Sequence, residues 1–132
     1  CELDVQWGDL DSMNHVNHTV FLRWMENARM HYFNSCGMME YLESEKKGPI
    51  LARIEANYLS PVNFPDKVTV YSTVSRIGNS SFDMEYEIIS QSEMQKVANG
   101  KVTGVFVNYI SGKSIKIPNE IIDKIVKLES KD

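Results

Sequence analysis

The run Trp7-Gly8-Asp9-Leu10-Asp11-Ser12-Met13-Asn14-His15-Val16-Asn17-His18 leads directly into Thr19-Val20-Phe21-Leu22-Arg23-Trp24-Met25-Glu26-Asn27-Ala28-Arg29-Met30-His31-Tyr32-Phe33-Asn34-Ser35-Cys36. The two halves follow different rules. From about Thr19, Phe21, Trp24, Met25, Ala28, Tyr32 and Cys36 recur every three or four residues. That is one apolar stripe on a helix of about 17 residues, roughly 26 Å long. Glu26 and Arg29 sit three apart and are expected to pair near one face. Gly37 suits the left-handed position just past a helix end. Gly8 to Asn17 has no such period, and its Gly, Asp, Ser and Asn content makes it a loop.

Outward from the helix the period drops to two. Leu3 to Trp7 alternates as a short strand. Met38 to Glu45 adds a short helical turn, ended by Gly48-Pro49. Ile50 to Leu59 reads as a strand with Ile50, Ala52, Ile54 and Ala56 on one face. Ser60-Pro61 interrupts it, because proline cannot donate to a ladder. Phe64-Pro65-Asp66 is a turn, Val68 to Val74 a strand, and Ile77-Gly78-Asn79-Ser80 a turn or bulge. Phe82 to Ile88 is the next strand. Lys101 to Tyr109 is another, with Asn99-Gly100 as a turn, or as a bulge if Met94 to Ala98 already belong to it. Ser111-Gly112-Lys113 turns the chain, and Pro118-Asn119-Glu120 announces a last helix with Ile121, Ile122, Ile125 and Leu128 inward. Strands joined by hairpins predict an antiparallel sheet. A long helix with a wide apolar stripe must bury it, and the simplest cover is that sheet curled around it. The expected class is α+β, one domain over 1–132.

Composition narrows the function. A length of 132 residues suits one domain and excludes two stacked ones. With 42% hydrophobic and 24% charged residues the chain has globular balance, which excludes a disordered one. A net charge of −4 and the lack of a basic stripe argue against nucleic-acid binding. No run approaches the roughly 18 apolar residues that a spanning helix needs, so no membrane partner is expected. Cys1 and Cys36 show no zinc-ligand spacing, and so few cysteines suit a reducing compartment. The opening residues do not read as a secretory leader, and the expected location is the cytoplasm.

The chemistry concentrates in the loop before the helix. A helix start needs one cap side chain, whereas this loop holds carboxylates, imidazoles and amides together. A helix N-terminus supplies free N–H groups and partial positive charge, which stabilise an oxyanion. A carboxylate beside it can act as nucleophile or general base. Asp11, further into the loop, is the better candidate, and Asp9 is expected to accept local N–H groups. The combination suits hydrolysis of an activated acyl compound.

The segment from Val5-Gln6-Trp7-Gly8-Asp9-Leu10-Asp11 through Glu26-Asn27-Ala28-Arg29 resembles the opening of the hotdog-fold acyl-CoA thioesterases of the 4-hydroxybenzoyl-CoA thioesterase type. Ala56-Asn57-Tyr58-Leu59-Ser60-Pro61-Val62, Asp66-Lys67-Val68-Thr69-Val70, Arg76-Ile77-Gly78-Asn79-Ser80-Ser81-Phe82 and the Pro118 helix continue the likeness in order along nearly the whole chain. The resemblance implies a hotdog fold, one long helix wrapped by a curved antiparallel sheet. It also implies a homo-oligomer, dimer or dimer of dimers, with active sites at the dimer interface.

By that resemblance Asp11 is the catalytic carboxylate, attacking an acyl thioester or activating water. His18 orients the thioester or assists proton transfer, and Asn17 positions substrate or loop. Amides from Val16 to Thr19 are candidates to polarise the carbonyl. Tyr58 is assigned to the pocket wall. Asn79, Ser80 and Ser81 fall where the pantetheine arm is approached, and Arg76, Lys113 or a neighbouring subunit is left to meet coenzyme A phosphates. The substrate is an acyl-CoA or an acyl-carrier-protein thioester, with no cofactor and no metal. Asn14 stands where a glycine is common, and Asn tolerates the positive φ such a turn demands. A hydratase or dehydratase of the same fold, and a binding protein without turnover, are the alternatives. Asp11 in its loop favours the hydrolase.

Overall fold

The computed structural model describes residues 1–130. Its elements are β1 (Glu2–Asp4), a 3₁₀ turn at Trp7–Asp9, α1 (His18–Ser35), α2 (Met38–Glu45), β2 (Lys47–Tyr58), β3 (Lys67–Ile77), β4 (Ser81–Ser90), β5 (Gln95–Asn108) and α3 (Asn119–Glu129). The strands make one antiparallel sheet in the order β1-β3-β4-β5-β2. The sheet curls around α1, the hotdog arrangement expected from the sequence.

Helix α1 starts at Asn17, whose side chain accepts the Thr19 N–H. It buries Phe21, Trp24, Met25, Ala28, Arg29 and Phe33. Val68, Val70, Phe82, Met84, Tyr86, Ile88, Val102 and Phe106 supply the apolar face of the sheet. Two positions of β5 have no room for a side chain, one because of the helix and one because of the neighbouring strand β4. A Cβ on Gly100 would lie 2.6 Å from the Met25 sulfur, and one on Gly104 would lie 2.5 Å from the Phe82 ring. Helix α3 buries Ile121 and Ile125, half-buries Ile122 and Leu128, and covers the edge of β3 that short β1 leaves free. There the Glu129 carboxylate accepts the Val74 N–H at 3.1 Å and the Tyr32 hydroxyl.

Several expectations need correction. The first strand is only Glu2–Asp4, because Trp7–Asp9 winds into a 3₁₀ turn closed by Gln6 and Asp9. Arg29 does not pair with Glu26; it is buried and donates to the Tyr86 hydroxyl at 3.4 Å. Phe33 is buried beside the expected stripe, and Tyr32 is only half-buried. Strand β2 already starts at Lys47, so Gly48-Pro49 lies within it; an edge strand tolerates proline. Its expected buried face is largely open, with Ile50 at 43% and Ala52 exposed, and only Ile54 and Ala56 half-buried. Asn99-Gly100 is neither turn nor bulge, since β5 runs through it. The reversal falls just before Gln95, with Met94 at φ 54°, and the irregularity lies at Ile88/Ile89.

Gly104 is a direct test of the packing. The Phe82 ring is fully buried and cannot move aside. Gly104→Ala is expected to lose about 1–3 kcal/mol of stability through overpacking, read by urea unfolding. An unchanged midpoint would show that the Phe82 ring does not press on β5 there.

Candidate active site

The loop before α1 is held open by its own hydrogen bonds. The Asp11 Oδ1 accepts the Met13 N–H at 2.9 Å, and the Asp11 carbonyl accepts the Asn14 N–H at 3.0 Å. Asn14 has φ 61°, so it does adopt the left-handed turn that the sequence left to it. Asp9 accepts the Gln6 N–H and thus ties the 3₁₀ turn rather than facing the loop chemistry. Asp11 is half-buried and His15 exposed. Among the described residues no hydrogen bond joins Asp11 to His18 or Asn17, and the Asp11 Oδ2 has no partner.

The amides at the helix start are not equivalent. Val16 N–H donates to the Val62 carbonyl and Asn17 N–H to the Asp9 carbonyl, both at 2.9 Å. Thr19 N–H and the Thr19 hydroxyl donate to the Asn17 side chain at 2.9 and 2.8 Å. Val20 N–H donates to the Asn17 carbonyl. Among the described residues, the amide from Val16 to Thr19 that lacks an acceptor is that of His18. Tyr58 stands beside it. Its hydroxyl donates to the His18 carbonyl at 3.3 Å, and its ring meets the His18 and Phe21 rings edge-on, at 6.1 and 5.3 Å. Asp11, Asn17, His18, Thr19 and Tyr58 therefore gather at one end of α1, with Val16 buried beneath them.

Arg76, Asn79, Ser80 and Ser81 lie at the other end. Phe21 touches Tyr58 near the end of β2, whereas Phe33 meets Phe82, the first buried residue after the β3–β4 turn. Phe21 and Phe33 are about 18 Å apart along the helix axis. Within one chain the two groups thus face different ends of the sheet. The Arg76 guanidinium forks onto Asp83 at 2.7 and 3.2 Å and also donates to the Ser81 hydroxyl at 2.9 Å, with its side chain half-exposed. The Asn79 and Ser80 carbonyls accept from Ile117 and Phe106, which docks the 113–117 segment beside the turn. Exposed Lys113 and Lys116 come with it. Lys116 was missed in the sequence because it lies far from the turn along the chain. The described residues contain no group of three or more His, Cys, Asp or Glu placed to hold a metal. None of the described helices is long and apolar enough to cross a membrane.

Residues 5–125 match the family described as the Thioesterase-like superfamily. The chain is 22% identical over 127 residues to the long-chain acyl-CoA thioesterase FadM of Escherichia coli K12, covering 96% of each. Among solved structures, a thioesterase of Thermus thermophilus complexed with coenzyme A and Zn is 31% identical with a TM-score of 0.87. That match covers 100% of this chain and 94% of the other. The PA2801 protein of Pseudomonas aeruginosa, a thioesterase candidate, is 30% identical with a TM-score of 0.84, at 95% of both chains.

The Arg76–Asp83 fork gives a pH signature. Arg76 holds the Asp83 carboxyl below the usual carboxylate range against the opposing effect of burial, helped by the Thr103 hydroxyl and Lys101. A carboxylate with a lowered folded-state pKa stabilises the fold above its ordinary pKa. That contribution is lost as pH falls through the lowered value. Asp83→Asn is expected to be less stable at neutral pH and to lose less stability than the native chain between about pH 4 and 2. Parallel thermal acid curves for the two proteins would refute the fork.

Proposed function

The chain belongs to the Thioesterase-like superfamily, and on that premise we propose that it hydrolyses an acyl-CoA thioester to a carboxylic acid and a free thiol. The observation that carries the reading is the free His18 N–H at the start of α1, beside a carboxylate with one unpartnered oxygen. The Asp11 Oδ2 attacks the thioester carbonyl, or takes a proton from the water that does. The carbonyl oxygen gains negative charge and meets the His18 N–H and the helix N-terminus. Collapse of the tetrahedral centre breaks the C–S bond, and the thiolate leaves and takes a proton. If Asp11 attacks directly, water then hydrolyses the mixed anhydride. Asn17 is a positioning residue, since its side chain occupies the Thr19 N–H and so fixes the orientation of the His18 amide. The His18 imidazole, held edge-on to Tyr58, lines the approach to the carbonyl.

A complete site takes two copies of the chain in this reading. One copy supplies Asp11 and His18. The other supplies the Asn79–Ser81 turn for the pantetheine arm, with Arg76, Lys113 and Lys116 for phosphates. The distance between the two ends of α1 supports this, as does the exposed edge of β2 with Ile50 and Leu51. Exposed Lys113 and Lys116 on the segment docked beside this turn favour coenzyme A over a carrier protein, despite the net negative charge. The coenzyme A bound by the Thermus thermophilus relative supports the same choice. An aromatic acyl group of the 4-hydroxybenzoyl kind belongs in the test panel beside aliphatic ones.

The test is thiol release from that panel. The native chain is expected to turn over at least one acyl-CoA, and Asp11→Asn to lower kcat by about a hundredfold or more. Undiminished kcat in Asp11→Asn would remove Asp11 from the chemistry. Hydrolysis of carrier-protein thioesters alone would overturn the choice of coenzyme A.

A further inference from the structure

A cavity of about 180 Å³ lies away from the Asp11 loop of the same chain, under the C-terminal half of α1. Arg29 and Phe33 of α1, Ile50 and Leu51 of β2, Phe82 of β4 and Val102 of β5 line it. Apart from Arg29 the wall is apolar, and Phe33 and Phe82 meet edge-on within it. Gly104 adds no side chain to the lining, which keeps the space open.

Arg29 is the anomaly. It is only 9% exposed, and a guanidinium has five N–H donors. One of them reaches the Tyr86 hydroxyl, at a long 3.4 Å. Among the described residues no carboxylate pairs with it. Among the described residues no side-chain nitrogen is both sealed from solvent and unpartnered, so the Arg29 N–H groups not bonded to Tyr86 open toward the cavity. The group such a guanidinium favours is an anion, and the surrounding wall favours an apolar body on that anion. Size completes the description: a dry cavity of about 150 Å³ holds a benzene ring.

We propose that this cavity binds a small carboxylate with an apolar body the size of one ring or a six-carbon chain, its carboxylate on Arg29 and its body against Phe33, Phe82 and Val102. Two sources share that chemistry. One is the free acid released by thioester hydrolysis; the other is the far end of an acyl group that terminates in a carboxylate. The choice of source rests on the hydrolase reading, whereas the binding itself does not.

Calorimetric titration of benzoate and hexanoate against benzamide and hexanamide separates charge from shape. The acids are expected to bind at least tenfold more tightly than the amides of the same shape. Arg29→Met should erase that gap while the amides keep their affinity. Val102→Phe, which fills the cavity and leaves Arg29 in place, should weaken all four. If Arg29→Met does not fold, the native acid-to-amide ratio and Val102→Phe decide. Acids binding no more tightly than amides to the native protein would overturn the proposal, as would a gap that survives in Arg29→Met. For a free-acid source, benzoate slows thioester turnover in the native enzyme and not in Arg29→Met. For an acyl source, a carboxylate-ended thioester is turned over faster than its methyl-ended counterpart, and Arg29→Met removes the preference. An acid-to-amide gap without any thioester hydrolysis would sink the hydrolase reading and uphold this one. Hydrolysis without the gap would do the reverse.

Discussion

Close contact between α1 and the inner face of the sheet is the constraint on which the rest depends. Burying side chains as large as Phe21, Trp24, Met25 and Phe33 is worth about 1.5–3 kcal/mol each, and no other surface of the chain offers that cover. The contact is tight at Gly100, where a side chain on β5 would collide with Met25 of the helix, while Gly104 makes room for the Phe82 ring of the neighbouring strand. Everything that gives the molecule its chemistry is placed by this packing. The helix start is fixed at the Tyr58 end of the sheet, and its C-terminal half closes over the Arg29 cavity.

The helix start becomes useful through the way its amides are distributed. Val62, Asp9 and Asn17 accept from the neighbours of the His18 N–H, which alone has no acceptor among the described residues. A loop of ordinary caps and turns thus leaves one amide without an acceptor among the described residues, at the same end of the helix as Asp11. The same rigid helix keeps this end apart from the Asn79–Ser81 turn and its cations, by roughly the length of three helical turns. Within one chain the Asp11 loop and the Asn79–Ser81 turn lie at different ends of the sheet.

Much of this was legible in the sequence, for identifiable reasons. The 3.6-residue period of α1, the Gly37 stop and the Met38–Glu45 helix are local signals, and the structure reproduces them. Asn14 could be placed in a left-handed turn because few residues tolerate one. What failed was non-local. Gly100 looked like turn chemistry, but its reason is Met25, far away in the chain. Glu26 and Arg29 have helical pairing distance, yet Arg29 points inward to Tyr86, which spacing cannot reveal. Pro49 looked like a break because nothing local marks β2 as an edge strand. In the site, residue types marked Asp11 and His18, but the free amide follows from which acceptors the fold brings to Val16 and Thr19. Lys116 reaches the turn only through the docking of 113–117.

The central claim is that a working site combines the Asp11 end of one copy with the Asn79–Ser81 end of another. Subunit complementation measures it directly. Two separately impaired proteins, Asp11→Asn and Asn79→Trp, are mixed, unfolded, refolded together and assayed for thiol release. Random pairing in a two-fold dimer leaves about one quarter of the sites with both halves native, so recovery of about a quarter of native activity is expected. Recovery no greater than the sum of the two impaired proteins would contradict a site shared between copies.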